Sequence, residues 1–277
     1  MGVSAKVVAD SVASGSRLIT LEIELHRMIL PEFNTHRTFS RNFQSSRALP
    51  LKKQRELIEK DPAMPVWWGK NQAGMVAKEE LGSVEKSQAV GLWTIALNQM
   101  LYIHEEMEQL GVHKQIANRL LEPFMYTKGV VTATEESFNA FFKLRCASDA
   151  QPEIKALADK MKEAVSGSSP VHLVEGDWHL PYVNLDTFEG TLEEAIKTSV
   201  SCCAQASYRN LDDSLDKALK VYDMLNLDGL GGNPHASPCE HQACVGNSMF
   251  EHVLMNDAKL TGNLSWPWVQ YRKQLGV

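Results

Sequence analysis

Long apolar runs are missing from this chain of 277 residues. No stretch approaches the roughly 20 apolar residues that cross a bilayer, and the start Met1–Lys6 lacks the apolar core of a secretory signal. Lys6 also stands where a myristoylation signal has Ser or Thr. We therefore expect a soluble protein that neither crosses a membrane nor is anchored to one.

Paired cysteines and an excess of positive charge are also missing. The five cysteines have no regular spacing, which argues against a disulfide framework and indicates reduced thiols in a cytoplasmic protein. The formal net charge of −6 argues against a protein whose main task is to coat nucleic acid, so any anionic ligand must be held by local cations. With 44% hydrophobic residues, residues 1–277 are expected to form a single domain.

Glycine-rich nucleotide motifs are absent as well. Neither G-x-G-x-x-G nor a P-loop occurs, so arginines must hold any dinucleotide. A zinc site is the alternative reading of His235, Cys239, His241 and Cys244, but C-x-x-C and H-x-x-x-H pairs are lacking, and we expect no metal. The adjacent pair Cys202–Cys203 fits a packed helix face better than a redox site.

The periodicity of the chain predicts an α+β fold. Arg17–His26 alternates, with Ile19, Leu21, Ile23 and Leu25 on one face, and Lys6–Ala9 is a shorter candidate for its antiparallel partner. A strand is also expected near His241–Val245, after a loop over 228–237. The predicted helices are Val84–Gly111, His113–Leu121, Glu135–Ser148, Pro152–Val165 with Asp149 as its N-cap, one opened by the capping box Thr191-x-x-Glu194, and Asp212–Leu225. Together they predict a small antiparallel sheet with many helices.

The segment Thr35–Arg47 (THRTFSRNFQSSR) concentrates polar side chains after the first strands. Arg37, Arg41 and Arg47 carry forked guanidinium groups that suit phosphate oxygens, and three serines add hydroxyls. The alternative is a solvated loop whose arginines pair with acidic residues. Arg145 and Arg119 have the same two readings, a ligand contact or an ordinary ion pair at a helix end.

The same segment resembles the motif of flavin-dependent thymidylate synthases, R-H-R-x-x-S-x-N-E-x-S-x-R. The matching positions are His36, Arg37, Ser40, Asn42, Ser45 and Arg47. GVHKQIANRLLEPF and FFKLRCASDAQPEI resemble later helices of that family. Two further blocks, Ala204–Tyr208 (AQASY) and His235–His241 (HASPCEH), resemble segments that precede the motif in most members, so their order here is that of a circular permutation.

The resemblance implies a fold and an activity. Members of the family methylate deoxyuridylate (dUMP) to thymidylate, with methylenetetrahydrofolate as carbon donor, NADPH as reductant and bound FAD, commonly as a homotetramer with shared active sites. It assigns FAD contacts to His36, Arg37, Asn139 and Ser237, and dUMP contacts to Gln44, Ser45, Ser46, Arg47, Arg119 and Arg145. Arg145 is the implied catalytic residue, because its permanent charge stabilises the ionised uracil ring.

Four positions depart from the family pattern. Thr35 replaces the first arginine of the motif and Phe43 replaces its glutamate, while Gln115 and Asp149 replace a glutamate and a histidine of the later helices. These departures leave open a second interpretation, a catalytically altered or silent protein that binds flavin or nucleotide on the same scaffold.

Overall fold

The computed structural model describes residues 2–206, 212–227, 233–247 and 258–277. In chain order the strands are β1 (Ser4–Ala13), β2 (Ser16–His26), β3 (Ser40–Phe43), β4 (Tyr126–Thr134), β5 (Val171–His172), β6 (Trp178–His179), β7 (Ala243–Val245) and β8 (Trp268–Gln270). The helices are α1 (Leu30–Phe33), α2 (Leu51–Lys60), α3 (Ser83–Gln109), α4 (Lys114–Ala117), α5 (Glu135–Arg145), α6 (Pro152–Ser166), α7 (Leu192–Gln205), α8 (Leu215–Met224), α9 (Ala258–Thr261) and α10 (Tyr271–Gln274). Three short 3-10 helices cover Arg27–Ile29, Asn118–Phe124 and Ser237–Glu240.

The predicted hairpin is confirmed and lies at the centre of a five-stranded sheet. Ser14 and Gly15 both have positive φ at the turn between β1 and β2, as a tight two-residue hairpin turn requires. The order of strands is β3-β4-β2-β1-β5, antiparallel throughout except for the short β1–β5 pair. The α+β class with a small, mainly antiparallel sheet is therefore confirmed, and β1 is longer than the predicted Lys6–Ala9.

Helices α5 and α6 cover one face of this sheet. Phe138, Phe141 and Phe142 of α5 pack with the buried side chains of β2 and α6 in the main hydrophobic core. Both helices agree with the prediction to within a few residues. The predicted N-cap Asp149 is wrong, because the helix begins at Pro152 and the cap is Gln151, whose side chain makes no capping bond. Proline pre-sets the first helical turn and biases the residue before it towards extended backbone, which places the boundary there.

A second layer covers the opposite face of the sheet. It consists of a three-stranded sheet, β6-β7-β8, together with α7 and its neighbours. The predicted capping box of Thr191 and Glu194 is confirmed at the start of α7. The strand predicted near His241–Val245 is β7, and the predicted helix Asp212–Leu225 is α8. Residues 228–232 of the predicted loop lie outside the described residues.

A chain of buried hydrogen bonds lies between the sheet and the second layer. The Thr20 hydroxyl lies 2.7 Å from that of Thr132 and 2.8 Å from Nε2 of His179, whose Nδ1 is 2.8 Å from the Ser11 hydroxyl. Thr132 also bonds Nδ1 of His241 at 2.9 Å. Burial lowers the pKa of both histidines from 6.5 to about 3. Both rings are therefore neutral near pH 7.

Helix α3 confirms the long helix predicted over Val84–Gly111, but apolar spacing along it does not identify which residues are buried. Leu97 packs against Leu121 and Phe124, whereas Leu92 and Ile95 are 68% and 65% exposed. The physical reason is that both sides of the helix carry apolar residues, and the rest of the described chain covers only one of them. Among the described residues, none of the helices combines the length and apolarity needed to span a bilayer.

Candidate active site

The segment Thr35–Arg47 folds as a turn over 34–39, then β3, then a loop. Arg41 holds the turn, since its guanidinium donates to the backbone oxygens of Asn34, His36 and Phe39 at 2.9–3.0 Å and to Oδ1 of Asn34 at 2.9 Å. These bonds use all three guanidinium nitrogens. Arg41 thus stabilises the turn and offers no free fork to an anion, so neither reading of the sequence, a phosphate contact or a pairing with acidic residues, describes it.

His36 and Arg145 lie 109 residues apart in the chain and are joined in the structure. Nε of Arg145 donates to Nε2 of His36 at 2.9 Å, so the ring proton of the neutral histidine is on Nδ1. Burial, then the charges of Arg145 and Arg41, lowers the His36 pKa from 6.5 to about 4. The ring also packs edge-on against Phe141 at 4.8 Å. Arg145, at the end of α5, is therefore directed towards the motif segment by a neutral acceptor.

Phe43, the departure from the family glutamate, belongs to the aromatic core. Its ring meets Phe33 edge-on at 5.5 Å and lies over its cross-strand partner Gly129. A Cβ at position 129 would lie 2.3 Å from Cδ1 of Phe43, so a residue larger than glycine does not fit there. Strand alternation puts Arg41 and Phe43 on the helix side of β3, and Ser40 and Asn42 on the side of the second layer.

Gln44 and Ser46 carry buried polar atoms that are not satisfied. Their side chains are 8% and 1% exposed, yet Nε2 of Gln44 and Oγ of Ser46 have no hydrogen-bond partner among the described residues. The backbone of Gln44 is held firmly, because its N–H donates to Lys128 and its oxygen accepts from Thr127 at 3.1 Å. An unmet buried donor costs about 1–3 kcal/mol. A polar ligand, or water, would remove that cost.

Arg27 is a residue at this site that the sequence did not single out. Its NH1 donates to the backbone oxygen of Gln44 at 2.9 Å, and its NH2 lies 3.5 Å from Oε1 of Glu122. The same carboxylate oxygen accepts from Arg119 at 3.1 Å. Two arginines therefore share one carboxylate beside the loop, which leaves a net positive charge. No pattern in a single sequence distinguishes Arg27 from the other arginines.

The remaining residues predicted to bind dUMP lie on the surface or at its edge. Arg47 has an exposed side chain at the end of the motif segment, and Ser45 is half-buried. Arg119 is 52% exposed and pairs with Glu122 one turn along. Its neighbour Asn118, which the sequence analysis did not assign, is fully buried and contacts the 44–49 loop directly.

The residues predicted to bind FAD are distributed over three places in one chain. His36 lies beside Arg145, and Arg37 next to it is exposed. Ser237 donates to Oδ1 of Asn42 at 3.4 Å, on the opposite face of β3. Asn139 lines a polar recess of about 480 Å³ together with the hairpin turn Ser14–Arg17 and Trp266. The structure therefore does not bring these four residues into contact with one another within a single chain.

A larger recess, of about 950 Å³, opens between residues 67–78 and the start of α6. Trp67 and Pro152 contribute to its walls, with Lys78 and Asp149 among its charged groups. None of the residues predicted to bind FAD or dUMP lines it.

The two C-terminal blocks meet the motif segment in space. Asn42 donates to the backbone oxygen of Cys203, just before the block Ala204–Tyr208, at 3.1 Å. Ser237 and His241 of the other block bond Asn42 and Thr132. Ser207 and Tyr208 lie outside the described residues. Segments that are distant in the sequence thus pack on β3 and β4, as a permuted order requires, although the permutation itself stays a prediction.

Comparison with known proteins gives a family match. The model of the family described as thymidylate synthase complementing protein matches residues 17–171, more than half of the chain. Two solved structures of the UMP/dUMP methylase PolB from Streptomyces cacaoi are similar. The one bound with 5-Br dUMP has 16% identity and a TM-score of 0.49, covering 59% of this chain and 90% of that chain. The one bound with 5-Br UMP has 15% identity and a TM-score of 0.48, covering 59% and 88%. No curated protein matches.

Proposed function

The chain belongs to the thymidylate synthase complementing protein family, and from that premise we propose that it methylates dUMP to thymidylate. In this proposal FAD is the bound cofactor, NADPH the reductant and methylenetetrahydrofolate the carbon donor. The resemblance of the motif segment to flavin-dependent thymidylate synthases supports these assignments.

One observation carries the proposal: within the part of the chain that the structure describes, the buried Nε2 of Gln44 and Oγ of Ser46 have no hydrogen-bond partner. Both are among the residues expected to bind dUMP, and Arg47 follows them on the same loop with an exposed guanidinium. An amide donor and a hydroxyl suit the polar edges of a nucleotide, and a guanidinium suits its phosphate. The pair Arg27–Arg119, which shares Glu122, adds positive charge at the same loop.

Arg145 is the proposed catalytic residue. Its bond to His36 uses Nε, and the terminal amino groups of a guanidinium form the fork that binds planar oxygen acceptors. A permanent positive charge held in place stabilises the negative charge that develops on a uracil ring. His36 orients this charge without adding one of its own, because its lowered pKa keeps the ring neutral near pH 7.

FAD, when bound, supplies the hydride. His36, Arg37, Asn139 and Ser237 would hold it, and the exposed guanidinium of Arg37 fits an anionic dinucleotide. Since these residues lie apart in one chain, we propose that sites are completed between copies in a homotetramer. The exposed apolar side of α3 supports this, with Val84, Leu92, Ile95 and Tyr102 between 57% and 68% exposed.

The test is the formation of thymidylate from dUMP by purified protein supplied with FAD, NADPH and methylenetetrahydrofolate. Rescue of a bacterium that lacks its own thymidylate synthase is the companion test. Arg145→Ala should abolish both, while Lys143→Ala, an exposed position on the same helix, should abolish neither. Purified protein that binds FAD and dUMP but forms no thymidylate would refute the proposed activity.

A catalytically silent binding protein is the second candidate. The observation that favours it is the packing of Phe43 in the aromatic core, which leaves no carboxylate at that motif position. Thr35, the other departure, donates locally to the backbone of Glu32 at 2.7 Å. On this alternative the protein forms no thymidylate, and none of the variants changes that result. Arg47→Ala is still expected to abolish dUMP binding and to leave flavin binding intact.

A further inference from the structure

A chain of hydrogen bonds connects α3 with the loop that carries Gln44, Ser46 and Arg47. Arg55 of α2 pairs with Glu108 at 2.5 Å and contacts Nδ1 of His104 at 3.1 Å. Nε2 of His104 lies 2.9 Å from Oδ1 of Asn118. Nδ2 of Asn118 then donates to the backbone oxygens of Ser46 at 2.9 Å and Leu49 at 3.1 Å.

The donors and acceptors in this series of hydrogen bonds permit only one assignment of protons. Arginine can only donate, so Nδ1 of His104 accepts and its Nε2 carries the proton. That proton goes to the oxygen of the Asn118 side chain, which leaves the NH₂ group facing the two loop carbonyls. If the Asn118 amide were flipped, its NH₂ group would face the N–H of His104, and its oxygen would face the carbonyl oxygens of Ser46 and Leu49. His104 and Asn118 are both completely buried, so a mismatch would be costly.

The loop depends on such bonds because residues 44–49 have no helical or strand ladder of their own. Asn118 fixes two of its carbonyls, and Lys114 donates to a third, that of Ala48, at 3.2 Å. Ser46, whose backbone oxygen is fixed in this way, is also the residue whose buried hydroxyl has no partner among the described residues. The bonds therefore end at the backbone that presents the proposed nucleotide-binding side chains.

We propose that His104 and Asn118 are positioning residues that hold the 44–49 loop in the conformation that binds the nucleotide. Neither residue touches the nucleotide in this scheme. The inference rests on the proposed function, since it takes dUMP as the ligand of that loop.

Three variants test it. His104→Leu removes the bond to Asn118, whereas His104→Gln keeps a donor near the Nε2 position. Asn118→Asp keeps the acceptor for His104 but replaces the donor to Ser46 and Leu49 by a carboxylate oxygen. Glu105→Gln, exposed on the next position of α3, is the control. The measurements are dUMP affinity by calorimetry, FAD affinity by flavin absorbance, and amide hydrogen exchange of residues 44–49.

His104→Leu and Asn118→Asp should each weaken dUMP binding about tenfold or more, as expected for the loss of a buried hydrogen bond. FAD affinity should stay the same and exchange in the loop should rise, while His104→Gln and Glu105→Gln should behave like the parent protein. If His104→Leu does not fold, Asn118→Asp, which is nearly isosteric, decides. Folded variants with unchanged dUMP affinity overturn this inference alone, whereas a parent protein that binds no dUMP overturns the proposed function as well.

Discussion

The buried ring of His241 makes the stability of the protein depend on pH. In the folded protein burial lowers its pKa to about 3, against 6.5 for an accessible histidine. The unfolded chain therefore takes up a proton on this ring at a pH where the folded protein cannot. This contribution to stability is complete above pH 6.5 and is lost progressively as the pH falls from there towards 3.

The size of the effect follows from the two pKa values. Each pH unit between them corresponds to about 1.4 kcal/mol, so between pH 8 and pH 5 this ring alone removes about 2 kcal/mol from the free energy of unfolding. His179 has the same folded pKa and adds a similar loss. Against a total stability of roughly 5–15 kcal/mol for a typical domain, the two together are large.

His241→Asn isolates the contribution, because an amide near the position of Nδ1 retains a partner for Thr132 and does not titrate. Urea unfolding at pH 8 and pH 5 should show a loss of stability that is about 2 kcal/mol smaller in this variant than in the parent protein. The free energy of unfolding of the variant is expected to fall at both pH values. The quantity compared is therefore the change in this free energy between pH 8 and pH 5, in the variant and in the parent protein. An identical pH dependence in parent and His241→Asn would refute the reasoning.

Three further predictions concern the site and the assembly. Arg27→Ala should raise KM for dUMP about tenfold with little change in kcat, because Gln44 and Glu122 lose a shared partner, and steady-state kinetics measures this. Phe43→Glu should not raise the rate of thymidylate formation, and it should lower the free energy of unfolding by roughly 2–4 kcal/mol, since a carboxylate replaces a ring packed against the aromatic core. Thermal unfolding measures this loss, with Phe43→Leu as the milder control. Ile95→Asp should reduce the assembly to smaller species in light scattering with unchanged helix content, and an unaltered mass would exclude this side of α3 from the interface.

Much of the fold follows from local patterns along the chain. The alternation in Arg17–His26 and the capping box at Thr191 are effects between near neighbours, and both are confirmed. Local signals compete at some element boundaries, as at Asp149, where the effect of Pro152 on backbone geometry prevails. The motif Thr35–Arg47 can be recognised in the sequence for the same reason, because its polar and charged residues are close together along the chain.

The burial of individual side chains, and hydrogen bonds between residues far apart in the chain, could not be predicted from local patterns. Thr20 and His26 lie on the polar face of an alternating strand, yet both are buried, because the second layer and the 63–66 segment cover that face. The apolar residues of α3 fit a core face by spacing alone, but Leu92 and Ile95 are exposed. Which face is covered depends on segments far away in the chain, and a periodic pattern carries no information about them.

The candidate site shows the same division. Which charged and hydrogen-bonding side chains are available in the segment Thr35–Arg47 follows from the sequence alone, since charge, hydrogen-bonding capacity and motif spacing belong to the residues themselves. Which partners these and other side chains bind depends on the folded chain: Arg41 bonds the turn, Arg145 is directed by His36, Arg27 holds Gln44, and Asn118 bonds the 44–49 loop. The physical reason is that a guanidinium or an amide binds whichever acceptor folding brings within about 3 Å, and here most of those acceptors come from distant parts of the chain.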